Sequence, residues 1–165
     1  MSFTIDPTAK LKIVSLELPS EVTVEAQFNP KEVGIDRSVP WQKHKKKAGE
    51  KGGGSADLEF TGGEPKSMTL ELMFDGFEQN ASVQGKINDL YKLTEPIQST
   101  GDKARPTKVK VIWGAESPDN LPKFESVIES VSVKYTMFSP DGKVLRATAN
   151  LKLKEAGNLS VGKAT

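Results

Sequence analysis

The densest chemistry in the sequence is cationic. Lys43, His44, Lys45, Lys46, Lys47 and Lys51 lead into Gly52-Gly53-Gly54-Ser55. Ammonium groups strung along a glycine-rich chain suit phosphate binding, because each phosphate neutralised releases counterions. Trp41 is the only aromatic residue close by on which a base could stack. Acids elsewhere bring 23 basic residues against 22 acidic ones to a net charge of +1, so no overall field draws the chain to nucleic acid or an anionic membrane. Residues 42–56 are therefore read as a flexible, self-repelling loop that a protein partner orders, in preference to a nucleic-acid arm or plain solvated chain.

Catalytic patterns are sparse. One His permits no His-Glu-x-x-His motif and no His cluster for zinc, and the absence of Cys removes disulfides and thiolate sites. Gly53-Gly54-Ser55-Ala56-Asp57 lacks the closing glycine of a nucleophile elbow. Gly85-Lys86, Gly142-Lys143 and Gly162-Lys163 are not followed by Ser or Thr, so none is a P-loop. Asp75 and Glu78 have the residue types of an acid/base pair. Carboxylates at a strand exit and a helix entry ordinarily serve as solvated or capping groups. Asn80-Ala81-Ser82 and Asn158-Leu159-Ser160 match a glycosylation sequon, but Met1-Ser2-Phe3-Thr4 does not begin a signal peptide. No catalytic residue, metal site or cofactor is expected, and no apolar run is long enough to span a bilayer.

At 165 residues and 36% hydrophobic, the chain fits one domain with a real core. Leu11, Ile13, Leu16 and Leu18 alternate with a phase change at Val14-Ser15, which predicts a bulge or burial on both faces. Val22, Val24, Ala26 and Phe28 alternate up to Asn29-Pro30. Val33, Ile35, Arg37, Val39 and Trp41 suggest a third strand, with Pro40 holding its end to a sheet edge. Met68, Leu70, Leu72 and Phe74 give a half-buried strand, and Val109, Val111 and Trp113 another. Both Trp41 and Trp113 close alternating strands and are read as packing residues. Between the last two strands, residues 82–93 form the one helix. Val83, Ile87, Leu90 and Tyr91 share a face, Asn80 or Ser82 can cap it, and Pro96 stops it. Several strands, one helix and more strands make a mainly β protein, a β sandwich or barrel with one packed helix.

The strongest local signal is the hairpin from Val127 to Leu153. Its turn, Ser139-Pro140-Asp141-Gly142, fits a type I turn closed by a G1 bulge. Ser139 opposite Lys143 pairs Phe138 with Val144, Met137 with Leu145, Tyr135 with Ala147, Val133 with Ala149 and Val131 with Leu151. One face is then apolar, from Val131, Val133, Tyr135 and Met137 through Leu145, Ala147, Ala149, Leu151 and Leu153. The other is polar with a cationic bias: Ser130, Ser132, Lys134, Thr136, Arg146, Thr148, Asn150, Lys152 and Lys154. A slip of one residue would turn the apolar face into water, so the register is strongly specified.

These elements carry a resemblance. Phe28-Asn29-Pro30, Trp41, Phe60-Thr61-Gly62-Gly63, Leu70-Glu71-Leu72-Met73-Phe74-Asp75, Trp113-Gly114 and Tyr135-Thr136-Met137-Phe138-Ser139-Pro140-Asp141-Gly142 with Arg146-Ala147 occur in that order. From about Leu11 to Glu155 the chain resembles the N-terminal domain of contractile injection system tube proteins, which form the tube base or hub adaptor of phage-tail-like particles. Val144 stands where a proline is usual in that family. The LysM module into which many members continue does not appear before Thr165, so the match is to a LysM-less form.

The resemblance implies a tail-tube-like domain over 1–155, two packed antiparallel sheets plus a helix, followed by a tail over 156–165. It implies a six-fold ring in which the strands of neighbours join into one barrel around a lumen. Lys134, Thr136, Arg146, Thr148, Asn150 and Lys152 are then the candidate lumen-facing residues. Lys43, His44, Lys45, Lys46, Lys47 and Lys51 are the candidate inter-subunit loop. Implied partners are other copies of the chain, the inner tube or tube-initiator protein, and spike, hub and baseplate proteins. Nucleic acid and membrane insertion are not expected. The implied location is the bacterial cytoplasm during assembly, then a contractile particle, released or membrane-tethered. The alternative is a small β-barrel that binds a ligand or nucleic acid.

Overall fold

The computed structural model describes residues 9–43, 57–97 and 104–156. Its longest elements are the expected hairpin strands, β8 (Phe124–Phe138) and β9 (Val144–Glu155). Gly142 closes the turn at φ +90°, its N–H donating to the Ser139 carbonyl at 2.9 Å, while Ser139 N donates to Lys143 O at 2.8 Å. Phe138 faces Val144, Tyr135 faces Ala147, Val133 faces Ala149 and Val131 faces Leu151, as the alternation requires. The register departs at Met137, which pairs with Arg146 and not Leu145, and at Glu129, an extra residue between Ile128 and Ser130. Such an insertion reverses which face the following residues occupy.

The Glu129 bulge changes how dry the hairpin is. Phe124, Ser126 and Ile128 are buried upstream of it, and Leu145, Ala147, Ala149, Leu151 and Leu153 are buried on β9. Val131, Val133 and Met137 are only half-buried, and Tyr135 is 39% exposed. The face expected to be fully dry is therefore dry on β9 and half-wet along the outer half of β8.

The remaining large elements are β1 (Leu11–Ser15), β2 (Thr23–Glu25), β3 (Gly34–Asp36), β6 (Ser67–Asp75) and β7 (Val109–Trp113), with helix α1 (Gln84–Lys92). With β8 and β9 they form one antiparallel sheet in the order β2-β1-β7-β8-β9-β6-β3. From β2 to β6 is five inter-strand steps, roughly 24 Å if the sheet were flat. Yet the Gln27 amide, just past β2, donates to Asp75 O at 2.7 Å and accepts from Asp75 N at 2.8 Å. The sheet must fold back on itself. Its two halves enclose a shared core in which Leu11, Ile13 and Val24 meet Leu70, Leu72 and Phe74, with Ile87, Leu90 and Leu93 of the helix segment. The expected two packed sheets are thus two halves of one sheet hinged through β8, and it is not closed into a barrel. Where closure would occur, one glutamine side chain imitates a neighbouring strand. Asn29 does the same for β1, accepting from Leu11 N at 3.0 Å and donating to Ala9 O at 2.7 Å.

Several sequence expectations shorten. β1 stops at Ser15, with Val14 and Ser15 both buried and Leu16 41% exposed, so the phase change marks burial on two faces. The strand expected over Val33–Trp41 is divided: β3 joins the large sheet, whereas β4 (Trp41–Lys43) pairs with β5 (Leu58–Phe60) as a separate ribbon. Every residue of that ribbon is exposed. Trp41 is 56% exposed and leans on Phe60 at 5.4 Å, so the packing role read for it holds only within the ribbon. Trp113 does pack against the core, and its Nε1 donates to Ala9 O at 3.1 Å. The helix begins at Gln84, where Ser82 Oγ accepts from Gln84 N at 3.2 Å.

One ion pair ties the segment after β1 to the entry of β7. Glu17 accepts from both Arg105 Nη atoms at 2.8 Å and from Lys108 N at 2.6 Å. Buried Thr107 accepts from Glu17 N at 3.1 Å. The Arg105 guanidinium, then the Lys108 N–H, hold the Glu17 carboxyl at about 2, against an ordinary 4.5. A carboxylate with a depressed pKa stabilises the fold fully above its unfolded value, and the contribution is lost as pH falls through its folded value. Glu17→Gln is expected to cost about 1–2 kcal/mol at pH 7 after solvent screening. Denaturant titrations should show that gap shrinking below pH 4.5 and closing near pH 2.

Candidate assembly interface

The most distinctive unsatisfied chemistry lies in the main chain. β7 pairs with β8 only over Phe124–Ser126, leaving the rest of that flank of β8 without a neighbouring strand among the described residues. Strand alternation identifies the exposed groups. Gly76 N donates to Leu145 O across the β6 side, so odd-numbered β9 residues turn their main chain toward β6 and even-numbered ones toward β8. Asn150 and Thr148 therefore bond Ser132 and Lys134, their partners in register. The N–H and C=O groups of Val131, Val133 and Tyr135 point out of the open flank. A long bare strand edge is a template for another chain unless something blunts it. Aromatic surface stands beside it: Tyr135 and Phe138 lie 6.3 Å apart and are 39% and 55% exposed.

A polar face runs across three strands. Lys134 aligns with Thr148 and Met73, Ser132 with Asn150 and Glu71, and Ser130 with Lys152 and Thr69. Lys134, Thr136, Asn150 and Lys152 are exposed, and Arg146 and Thr148 half-buried. Two of its cations are neutralised locally. Lys152 Nζ lies 3.9 Å from Glu129, and Arg146 reaches Asp75 Oδ2 at 3.0 Å. The Asp75 carboxyl is held below its usual range by the Phe77 N–H and then by Arg146, with which it pairs.

Of the lysine loop, Lys43 is placed, exposed at the end of β4. His44, Lys45, Lys46, Lys47 and Lys51 lie outside the described residues, as do Gly53-Gly54-Ser55 and the tail beyond Ala156. The β4–β5 ribbon from which the loop springs carries Leu58, Phe60 and Trp41 at 63%, 52% and 56% exposure. Two strands without a sheet are marginal in water, so the ribbon is suited to being covered by another surface.

Other chemistry is thin. A cleft of about 940 Å³ opens beside Trp113 and Leu121 and is wide to solvent. Among the described residues, no group of three or more His, Cys, Asp or Glu is placed to hold a metal, and no helix is long and apolar enough to cross a membrane. Sequence reading missed Gln27 and the Glu129 bulge. The only signal for Gln27 was its place just before Phe28-Asn29-Pro30.

A mainly β scaffold whose notable surfaces are a bare strand flank, a hydroxyl-rich polar face and an apolar ribbon defines a structural subunit. The chain belongs to the contractile injection system tube protein family, whose model matches residues 8–163. Its role is that of a structural tube component of such a system. None of the curated proteins matches it.

Proposed function

We propose that copies of the chain join edge to edge into a six-fold ring. The ring adapts the inner tube or its initiator, on one side, to the hub and spike at the baseplate, on the other. The observation that carries this reading is the open flank of β8, where Val131, Val133 and Tyr135 offer main-chain groups with no strand beside them among the described residues. A sibling copy supplies matching groups, and a rotation that closes leaves that flank bare in no copy. Family membership supports the tube role, and the three-strand polar face, whose small hydroxyls keep a surface wet, supports its use as a lumen wall. The lysine loop and its apolar ribbon reach the adjacent subunit or the next layer. Ordering such a loop costs about 1–2 kcal/mol per residue, which only an extended partner surface offsets.

Negative-stain microscopy of the purified chain at rising concentration tests the reading. Rings or stacked rings are expected; a uniform monomer at all concentrations contradicts it. Changing Lys43, Lys45, Lys46 and Lys47 together to Glu is expected to leave the circular dichroism spectrum intact and to prevent rings. Normal particles from that variant would remove the loop from assembly.

A further inference from the structure

The outer flank of β6, across β9 from β8, is also unfinished. β3 pairs with β6 only from Gly34 to Asp36, opposite Thr69 to Ser67. Continuing that register upstream sets Glu32 opposite Glu71, Pro30 opposite Met73 and Phe28 opposite Asp75. The chain does not follow it. A cleft of about 860 Å³ lies between Phe28–Gly34 and the β6 residues Glu71 and Met73. Asp75 turns both main-chain groups to this flank, where Gln27 takes them, so Met73 and Glu71 face it too by alternation. No strand lies beside those two among the described residues.

Residues 28–33 thus have the length to lie along β6, are anchored at both ends, and stand off in the middle. Two features oppose closure. Pro30 has no N–H for the ladder. Glu32 and Glu71, both exposed, would face each other directly, and like charges at opposed positions destabilise a strand pair. The flank of β8 has the complementary sign: from Ser130 to Phe138 its one charged residue is Lys134, on the polar face that Glu71 shares.

We propose that residues 28–33 close onto β6 as a full edge strand when β8 of a second copy lies along them, with that copy's Lys134 set beside Glu32, on the face that Glu71 shares. The proposal rests on the edge-to-edge reading and adds to it a switch. In the free subunit the carboxylates hold the edge open and too short to template another copy. Association supplies the cation that lets the strand zip and lengthens the edge to match β8.

Amide hydrogen exchange at Glu71 and Met73 reads the switch directly. In the free wild-type subunit both amides should exchange quickly, and Glu32→Gln should slow them at least about tenfold without any partner. In wild-type assemblies they should be protected. Lys134→Glu should abolish association, and Glu32→Lys with Glu71→Lys should restore it. If Glu32→Gln leaves both amides exchanging at the wild-type rate, or if they stay fast in assembled wild type, the switch does not exist. A wild-type chain that never associates overturns the edge-to-edge reading instead, and the free-subunit result for Glu32→Gln still decides whether the carboxylates hold the strand open.

Discussion

Val133→Pro is expected to leave a folded subunit that no longer assembles. The Val133 main chain faces the open flank, so proline there removes no bond to β9, where Ser132 and Lys134 carry the ladder. Proline is tolerated on sheet edges for this reason. What disappears is one donor at the contact with a sibling, together with the room its strand would need. A single net hydrogen bond is worth about 1 kcal/mol, so each interface weakens by about fivefold or more, and a closed ring compounds the loss over all its joints. No rings should form at concentrations where the wild type forms them. Lys134→Pro, one residue along, is the contrasting case. It removes a donor that faces β9 and should destabilise the subunit itself by about 3 kcal/mol. Sedimentation velocity paired with thermal melts separates the two outcomes.

Gly76→Ala has the largest expected effect on stability for the atoms added. Gly76 leaves β6, donating from N to Leu145 O at 2.8 Å and accepting from Ala81 N at 3.0 Å. A Cβ at this position would lie 2.0 Å from the Ala81 carbonyl oxygen, which belongs to the main chain and cannot swing aside. Relief requires moving the 76–81 turn away from the hairpin end, where Val83 N also bonds Val144 O at 3.0 Å. Phe74, 1% exposed, is two residues upstream and would feel the same shift. A cost of about 3 kcal/mol is expected, lowering the melting temperature by about 6–12 °C. A melt within a degree or two of wild type would mean that the turn adapts without strain.

The hairpin was legible in the sequence because two independent signals coincide there. Turn residues fix the loop, and side-chain alternation fixes the faces. β6 and β7 were legible for the second reason alone. The division of 33–41 into β3 and β4 was not, since the alternation runs through it unbroken and only tertiary pairing separates Ile35 from Trp41. Closure by Gln27 was hidden for a different reason. An amide imitating a strand depends on β2 and β6 arriving side by side, and no local pattern encodes that arrival. The polar face was visible residue by residue, but its extension across Glu71 and Thr69 of β6 needed the register between β6 and β9. Nor did the letters reveal the wetness of Tyr135, because the Glu129 bulge inserts no recognisable residue type.

Edge-to-edge assembly has one direct signature. Amide exchange at Val131, Val133 and Tyr135, followed from dilute solution to the concentration at which particles form, should pass from fast to strongly protected as copies associate. Protection already complete in the dilute monomer, or fast exchange persisting in finished particles, would contradict it.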